Sequence, residues 1–108
     1  MAQNFRRYTS NDVGTSPATL FTSDSYDTIV GISVANVTTT SVIASVYIND
    51  GVNDIYLIKD APIPVGSALQ VLDGGAKFVV QNGDALKVVS DTASSLDVFV
   101  STVDDISS

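Results

Sequence analysis

The stretch TIVGISVAN, residues 28–36, contains the pattern that decides the fold. Val30, Ile32 and Val34 alternate with smaller residues, so an extended strand would place these three side chains on one face. A second stretch, VIASVYI at residues 42–48, repeats the alternation. Both stretches are rich in the β-branched residues that strands favour, and neither has the spacing of an amphipathic helix. The pattern therefore predicts antiparallel β-structure.

Shorter runs with the same period of two continue along the chain, at residues 55–58, 69–71, 77–80, 86–88 and 96–101. Their number and spacing are typical of a small sandwich or barrel. We therefore predict an all-β fold, a β-sandwich of jelly-roll or immunoglobulin-like type with seven or eight short antiparallel strands.

The segments between these runs contain residues that favour turns, namely Asn49-Asp50-Gly51, Asp73-Gly74-Gly75 and Asn82-Gly83-Asp84. Asn82-Gly83 lies between two apolar runs and predicts a hairpin. Pro62 and Pro64 cannot easily occupy a central strand, so they predict a connection or an edge segment.

The first seventeen residues are polar, contain Gly14 and Pro17, and include both arginines of the chain. We predict an extended N-terminal arm over residues 1–17 and a β-sandwich domain over residues 18–108. Four consecutive residues of the arm, Phe5, Arg6, Arg7 and Tyr8, combine guanidinium forks with aromatic area, which favours anchoring to a protein surface. The alternative is a disordered terminus.

Several strands carry apolar residues on both faces, although a sandwich in water needs only one apolar face per strand. The residues of the second faces are Ile29, Val37, Ile43, Tyr47, Ile58, Val79, Val89 and Phe99. We predict that Ile43, Tyr47 and Phe99 contact another subunit or another protein. The alternative is that loops and the arm cover one sheet on both sides.

The composition excludes most catalytic chemistry, because the 108 residues contain no histidine, cysteine, tryptophan or glutamate. No histidine is available to activate a serine, and no Ser-x-x-Lys spacing supports a lysine in that role, so we predict no catalytic residue and no enzyme. The loop Asn49–Asp54 has oxygen-bearing residues but does not match a calcium-binding loop, so no metal or other cofactor is predicted.

The net charge of −7 disfavours nucleic acid as a partner. No apolar run approaches the length of a membrane span, and the start lacks the apolar region of a signal peptide, so no membrane partner is expected.

Several segments resemble small virion structural proteins of tailed phages, notably phages of marine cyanobacteria. They are FRRYT at residues 5–9 followed by VGT at 13–15, and residues 29–37, 59–64, 82–88 and 96–101. The resemblance covers nearly the whole chain and implies a non-enzymatic virion component that is assembled in the host cytoplasm. It carries over no catalytic residues.

The resemblance and the composition together predict a capsid decoration, or cement, protein that binds the exterior of the particle. We expect a small homo-oligomer, with a trimer as the first hypothesis, and the major capsid protein or other virion proteins as partners. One alternative is a neck, tail or fibre component. Another is a carbohydrate- or receptor-binding sandwich that stacks sugars on Tyr26, Tyr47 and Tyr56.

Overall fold

The computed structural model describes residues 4–23, 27–71 and 78–104, which form two antiparallel β-sheets in a sandwich. The all-β sandwich predicted from the sequence is confirmed. This described part contains nine strands: β1 (Asn4–Val13), β2 (Ala18–Thr22), β3 (Asp27–Asn36), β4 (Val42–Asn49), β5 (Asp54–Ile63), β6 (Ala68–Gln70), β7 (Phe78–Val80), β8 (Ala85–Ser90) and β9 (Leu96–Asp104).

Sheet A has the strand order β1-β9-β3-β6, and β7 also pairs with β3. Strands β6 and β7 share one edge of β3, because residues 33–35 pair with β6 and residues 27–29 pair with β7. Sheet B has the order β2-β8-β4-β5. Since the chain passes repeatedly from one sheet to the other, sequence neighbours are often not sheet neighbours.

The core lies between the two sheets and is filled by the inward residues of the alternating runs. In β4 the predicted face is confirmed, because Val42, Ala44, Val46 and Ile48 are all buried. The same is true of the inward residues of β8 and β9, which are Leu86, Val88, Leu96, Val98 and Val100. These three strands therefore place their intervening residues on an outer face.

Strand β3 departs from the simple alternation. The sequence predicted Val30 on the same face as Ile32 and Val34, but Val30 is 37% exposed and Ile29 is fully buried. The register shifts between Ile29 and Gly31 where β3 pairs with β9. Because such a bulge adds one residue to the strand, it moves the side chains before it to the opposite face.

The turn at Asn82-Gly83 is present, but the predicted hairpin is wrong. Gly83 has a φ of +95°, and the N–H of Asp84 donates to the carbonyl of Gln81 at 2.9 Å. The strands on either side belong to different sheets, because β7 pairs with β3 and β8 pairs with β2 and β4. The turn therefore carries the chain across the sandwich.

The other turn predictions have mixed outcomes. Asn49-Asp50-Gly51 joins β4 to β5, which pair as an antiparallel hairpin. Pro62 lies in β5, and this strand is an edge of sheet B among the described strands, as the edge alternative predicted. The segment Asp73-Gly74-Gly75 lies outside the described residues.

The N-terminal segment is extended, but residues 4–13 are a strand of sheet A instead of a separate arm. Strand β1 pairs with β9 along most of its length. The physical reason is that it contributes to the core: Val13 is buried, and the Tyr8 ring stacks on Phe21 of β2 with ring centroids 4.6 Å apart. Tyr8 thus links the edges of the two sheets.

Candidate interaction surfaces

Phe99 lies near the middle of the outer face of sheet A. It is opposite Thr9 on β1 and Ser33 on β3. Its neighbours in β9, Val98 and Val100, point into the core, so strand alternation directs the Phe99 ring outward. The side chain is 47% exposed. This places a large apolar group on the outside of the sandwich, as the sequence predicted.

Small residues surround Phe99 and form a shallow groove of about 400 Å³ beside it. The groove is lined by Thr9 and Asn11 of β1 and by Ser33 and Ala35 of β3. Because these side chains are short, the Phe99 ring stands above its surroundings. The surface can therefore accept a protruding apolar side chain of a partner beside the ring.

Two opposite charges flank Phe99 on this face. Arg7 pairs with Ser101, the outward residue two positions after Phe99 in β9. Asp97 is the outward residue two positions before Phe99 in the same strand. Both are exposed, and neither forms an ion pair or a side-chain hydrogen bond within the described part of the chain. Along the strand direction Arg7 and Asp97 are separated by four residues of β9, about 13 Å, which is too far for a direct salt bridge within one chain.

The other arm residues have different positions. Arg6 is exposed and level with Thr102. The Tyr8 ring faces Phe21 between the sheets and packs against the core, and its contact with a partner stays a prediction. Phe5 is level with Val103, and its side chain lies outside the described part.

Tyr47 lies on the outer face of sheet B but is only 6% exposed, because Tyr56 of the neighbouring strand covers it. Their ring centroids are 5.0 Å apart, and the Lys59 ammonium lies 4.9 Å from the Tyr56 centroid. Burial, and then the nearby carboxylate of Asp54, raise the pKa of Tyr47. Tyr47 therefore presents little surface in the single chain, and its contact with a partner stays a prediction.

The same geometry bears on sugar stacking, because Tyr56 is engaged by Tyr47 and by Lys59. Tyr47 is buried while Tyr56 is 42% exposed, so only Tyr56 of this pair presents aromatic surface to solvent. Tyr26, the third tyrosine of that hypothesis, lies outside the described residues.

Ile43 is 41% exposed on the outer face of sheet B. Its backbone is fixed by Asp91, since the Ile43 N–H donates to Asp91 Oδ1 at 3.0 Å and the Asp91 N–H donates to the Ile43 carbonyl at 3.0 Å. The first of these bonds, and then the Thr92 hydroxyl, lower the pKa of Asp91. Ile43 is therefore an apolar residue of similar exposure to Phe99, but on the opposite side of the molecule.

The oxygens of the Asn49–Asp54 loop serve the turn. Asp50 Oδ1 accepts hydrogen bonds from the N–H groups of Val52 and Asn53, and Asn49 Oδ1 accepts one from Gly51. Within residues 4–23, 27–71 and 78–104 no group of three acidic, histidine or cysteine residues could hold a metal ion. Among the same residues, no helix is long and apolar enough to cross a membrane.

The sequence prediction missed Asp97, although its alternation with Phe99 in residues 96–101 already placed both on one face. What the sequence could not supply was the register between β1 and β9, which positions Arg7 on the other side of Phe99.

No protein-family model and no curated protein matches this chain. Among solved structures, the chain is similar to a Bacillus endospore appendage protein from a novel family of disulfide-linked pili. The identity is 16% and the TM-score 0.58, over 94% of this chain and 84% of that one, which shows a shared fold. The 108 residues contain no cysteine, so no disulfide can be shared.

Two structures of pentameric capsid proteins isolated from metagenomic phage sequences are also similar, with TM-scores of 0.47 and 0.48. Their identities to this chain are 18% and 19%. Each covers 93% of this chain, which spans 59% and 60% of their own lengths.

Proposed function

We propose that this chain is a non-enzymatic structural protein of a phage virion, and specifically a capsid decoration protein that binds the particle exterior as a small oligomer. The observation that carries the proposal is the outer face of sheet A, where exposed Phe99 lies between the unpaired charges of Arg7 and Asp97 among the described residues. An apolar group with a polar rim is the usual composition of a protein-binding surface.

The fold agrees with this role at the level of analogy. We interpret the order β1-β9-β3-β6 over β2-β8-β4-β5 as a jelly roll, an architecture found in viral capsid proteins. The similar endospore appendage protein belongs to a family of pili, so its fold also serves a protein that builds a larger structure.

The position of β1 changes the expected mechanism of attachment. Residues 4–13 belong to sheet A, so attachment to a capsid subunit would involve the sandwich itself and not a separate arm that lies across neighbouring subunits. Deleting residues 1–16 is not a clean test of attachment, because the deletion also removes the Tyr8–Phe21 stack and buried Val13 from the core. Point substitutions on the outer face avoid this problem.

Imaging of intact particles tests the proposal. Particles of the phage that encodes this chain would be labelled with gold-conjugated antibodies against it and examined by electron microscopy. We expect many labels over the capsid exterior. Label confined to one end of the capsid or to the tail would instead support a neck, tail or fibre component, and absence of label from particles would contradict a virion role.

A further inference from the structure

We propose that the outer face of sheet A binds the same face of a second copy of this chain, through a two-fold contact centred on Phe99. This inference rests on the proposed function in one respect only, the assumption that the chain works as part of an assembly. It identifies a second copy of the chain as the partner of the outer face of sheet A. It favours a two-fold contact over the trimer that the sequence first suggested.

The geometry of the face is compatible with such a contact. Consider a two-fold axis that runs between the faces, perpendicular to the strands and level with Phe99. Rotation about this axis places the Phe99 rings of the two copies over each other and aligns their strands, as in ordinary sheet-on-sheet packing. Thr9 and Ser33, which flank Phe99 at the same level, then face their own copies, and their short side chains allow the two faces to approach each other.

The charges identify a second copy as the partner. The same rotation exchanges the two sides of Phe99, so Arg7 of one copy faces the level of Asp97 in the other copy. The columns of β1 and β9 are neighbours about 4.8 Å apart, a separation that the long Arg7 side chain can span. Two symmetry-related salt bridges would thus form between groups that have no ionic partner within the described part of one chain.

The size of the face predicts a weak contact. Four strands about 4.8 Å apart, over about seven residues of 3.3 Å, cover roughly 450 Å² in projection. Two copies would bury somewhat less than the 1,200–2,000 Å² that is typical of stable complexes, so about micromolar association is expected. A weak contact of this kind becomes effective when many copies are held close together on a particle.

The first test uses sedimentation velocity of the full chain over a concentration series that reaches about 100 μM. Wild type should shift from monomer to dimer as the concentration rises. Phe99→Lys should raise the dissociation constant at least about tenfold, as loss of a central aromatic group does at other interfaces. The matched control is Ile43→Lys, which changes a residue of similar exposure on sheet B and should leave dimerisation unchanged.

The second test exchanges the charges. Arg7→Asp and Asp97→Arg should each weaken the dimer at least about threefold, because each places like charges opposite one another. The double variant Arg7→Asp/Asp97→Arg restores opposite charges in a two-fold contact and should return the dissociation constant to within about twofold of wild type. Circular dichroism of every variant checks that the fold is retained.

The outcomes separate this inference from the proposed function. A chain that stays monomeric over the whole series, an equal effect of Ile43→Lys and Phe99→Lys, or a double variant that is not restored would each overturn the two-fold contact. Particle labelling could still succeed in all three cases. Conversely, a restored double variant with no label on particles would support the contact and contradict the virion role.

Discussion

Replacing Tyr8 by alanine tests whether the N-terminal segment is an integral strand of the sandwich. Tyr8 is half-buried and stacks on Phe21 with an interplanar angle of 13°. Truncating a fully buried aromatic residue to alanine costs about 3–5 kcal/mol, so half-burial suggests about 2 kcal/mol. Loss of the ring pair adds about 0.5–1.5 kcal/mol. The free energy of unfolding should therefore fall by about 2.5–3.5 kcal/mol.

Urea denaturation followed by far-ultraviolet circular dichroism measures this change, since the chain has no tryptophan to report by fluorescence. The thermal midpoint should fall by about 10 °C in parallel. Arg7→Ala is the matched control: it changes the preceding residue, which is exposed on the outer face, and should alter stability by less than about 0.5 kcal/mol. Equal urea midpoints for the two variants would refute the integral strand and restore the separate arm.

Three further predictions concern stability. Thr102→Val should stabilise the fold by about 1 kcal/mol in urea denaturation, because the buried Thr102 hydroxyl has no hydrogen-bond partner among the described residues. Gly14→Ala should destabilise it by about 1–2 kcal/mol, since a Cβ there would lie 3.1 and 3.2 Å from backbone atoms, whereas Gly31→Ala has room and should be nearly neutral. Asp91 has a pKa lowered chiefly by the Ile43 N–H, so its carboxylate contributes stability that is present above pH 3.8 and lost as the pH falls through the folded value. Asp91→Asn should accordingly flatten the acid-side fall of the urea midpoint measured between about pH 5 and 2.

Strand alternation was sufficient to predict the sandwich and most of its core. The runs around Val46 and Val98 have an unbroken period of two, and their inward residues are buried as expected. Phe99 could be placed on an outer face for the same reason. Local sequence therefore decides which side of a strand is apolar wherever no bulge intervenes.

The remaining features depend on contacts between distant parts of the chain. In β1 the register shifts between Ser10 and Val13, so the inward residues Tyr8 and Val13 do not share a simple alternation, and the strand was not evident from sequence. The Asn82-Gly83 turn looks locally like a hairpin, but its flanking strands join different sheets. The relation of Arg7 to Asp97 requires the pairing of β1 with β9, which no local pattern specifies.

Two edge strands of the sandwich, β1 and β5, have features that favour association through a face. The unpaired backbone N–H and C=O groups of an edge strand can hydrogen-bond to strands of other chains, and the pairing can continue without limit unless residues of the edge prevent it. In β5 the blocking features are the positive φ of Asp60, the charge of Lys59 and the missing N–H of Pro62. In β1 they are the positive φ of Asp12 and the exposed guanidinium of Arg7. With these edges unfavourable for pairing, a two-fold contact between faces closes on itself, so the chain can form a defined dimer without growing into aggregates.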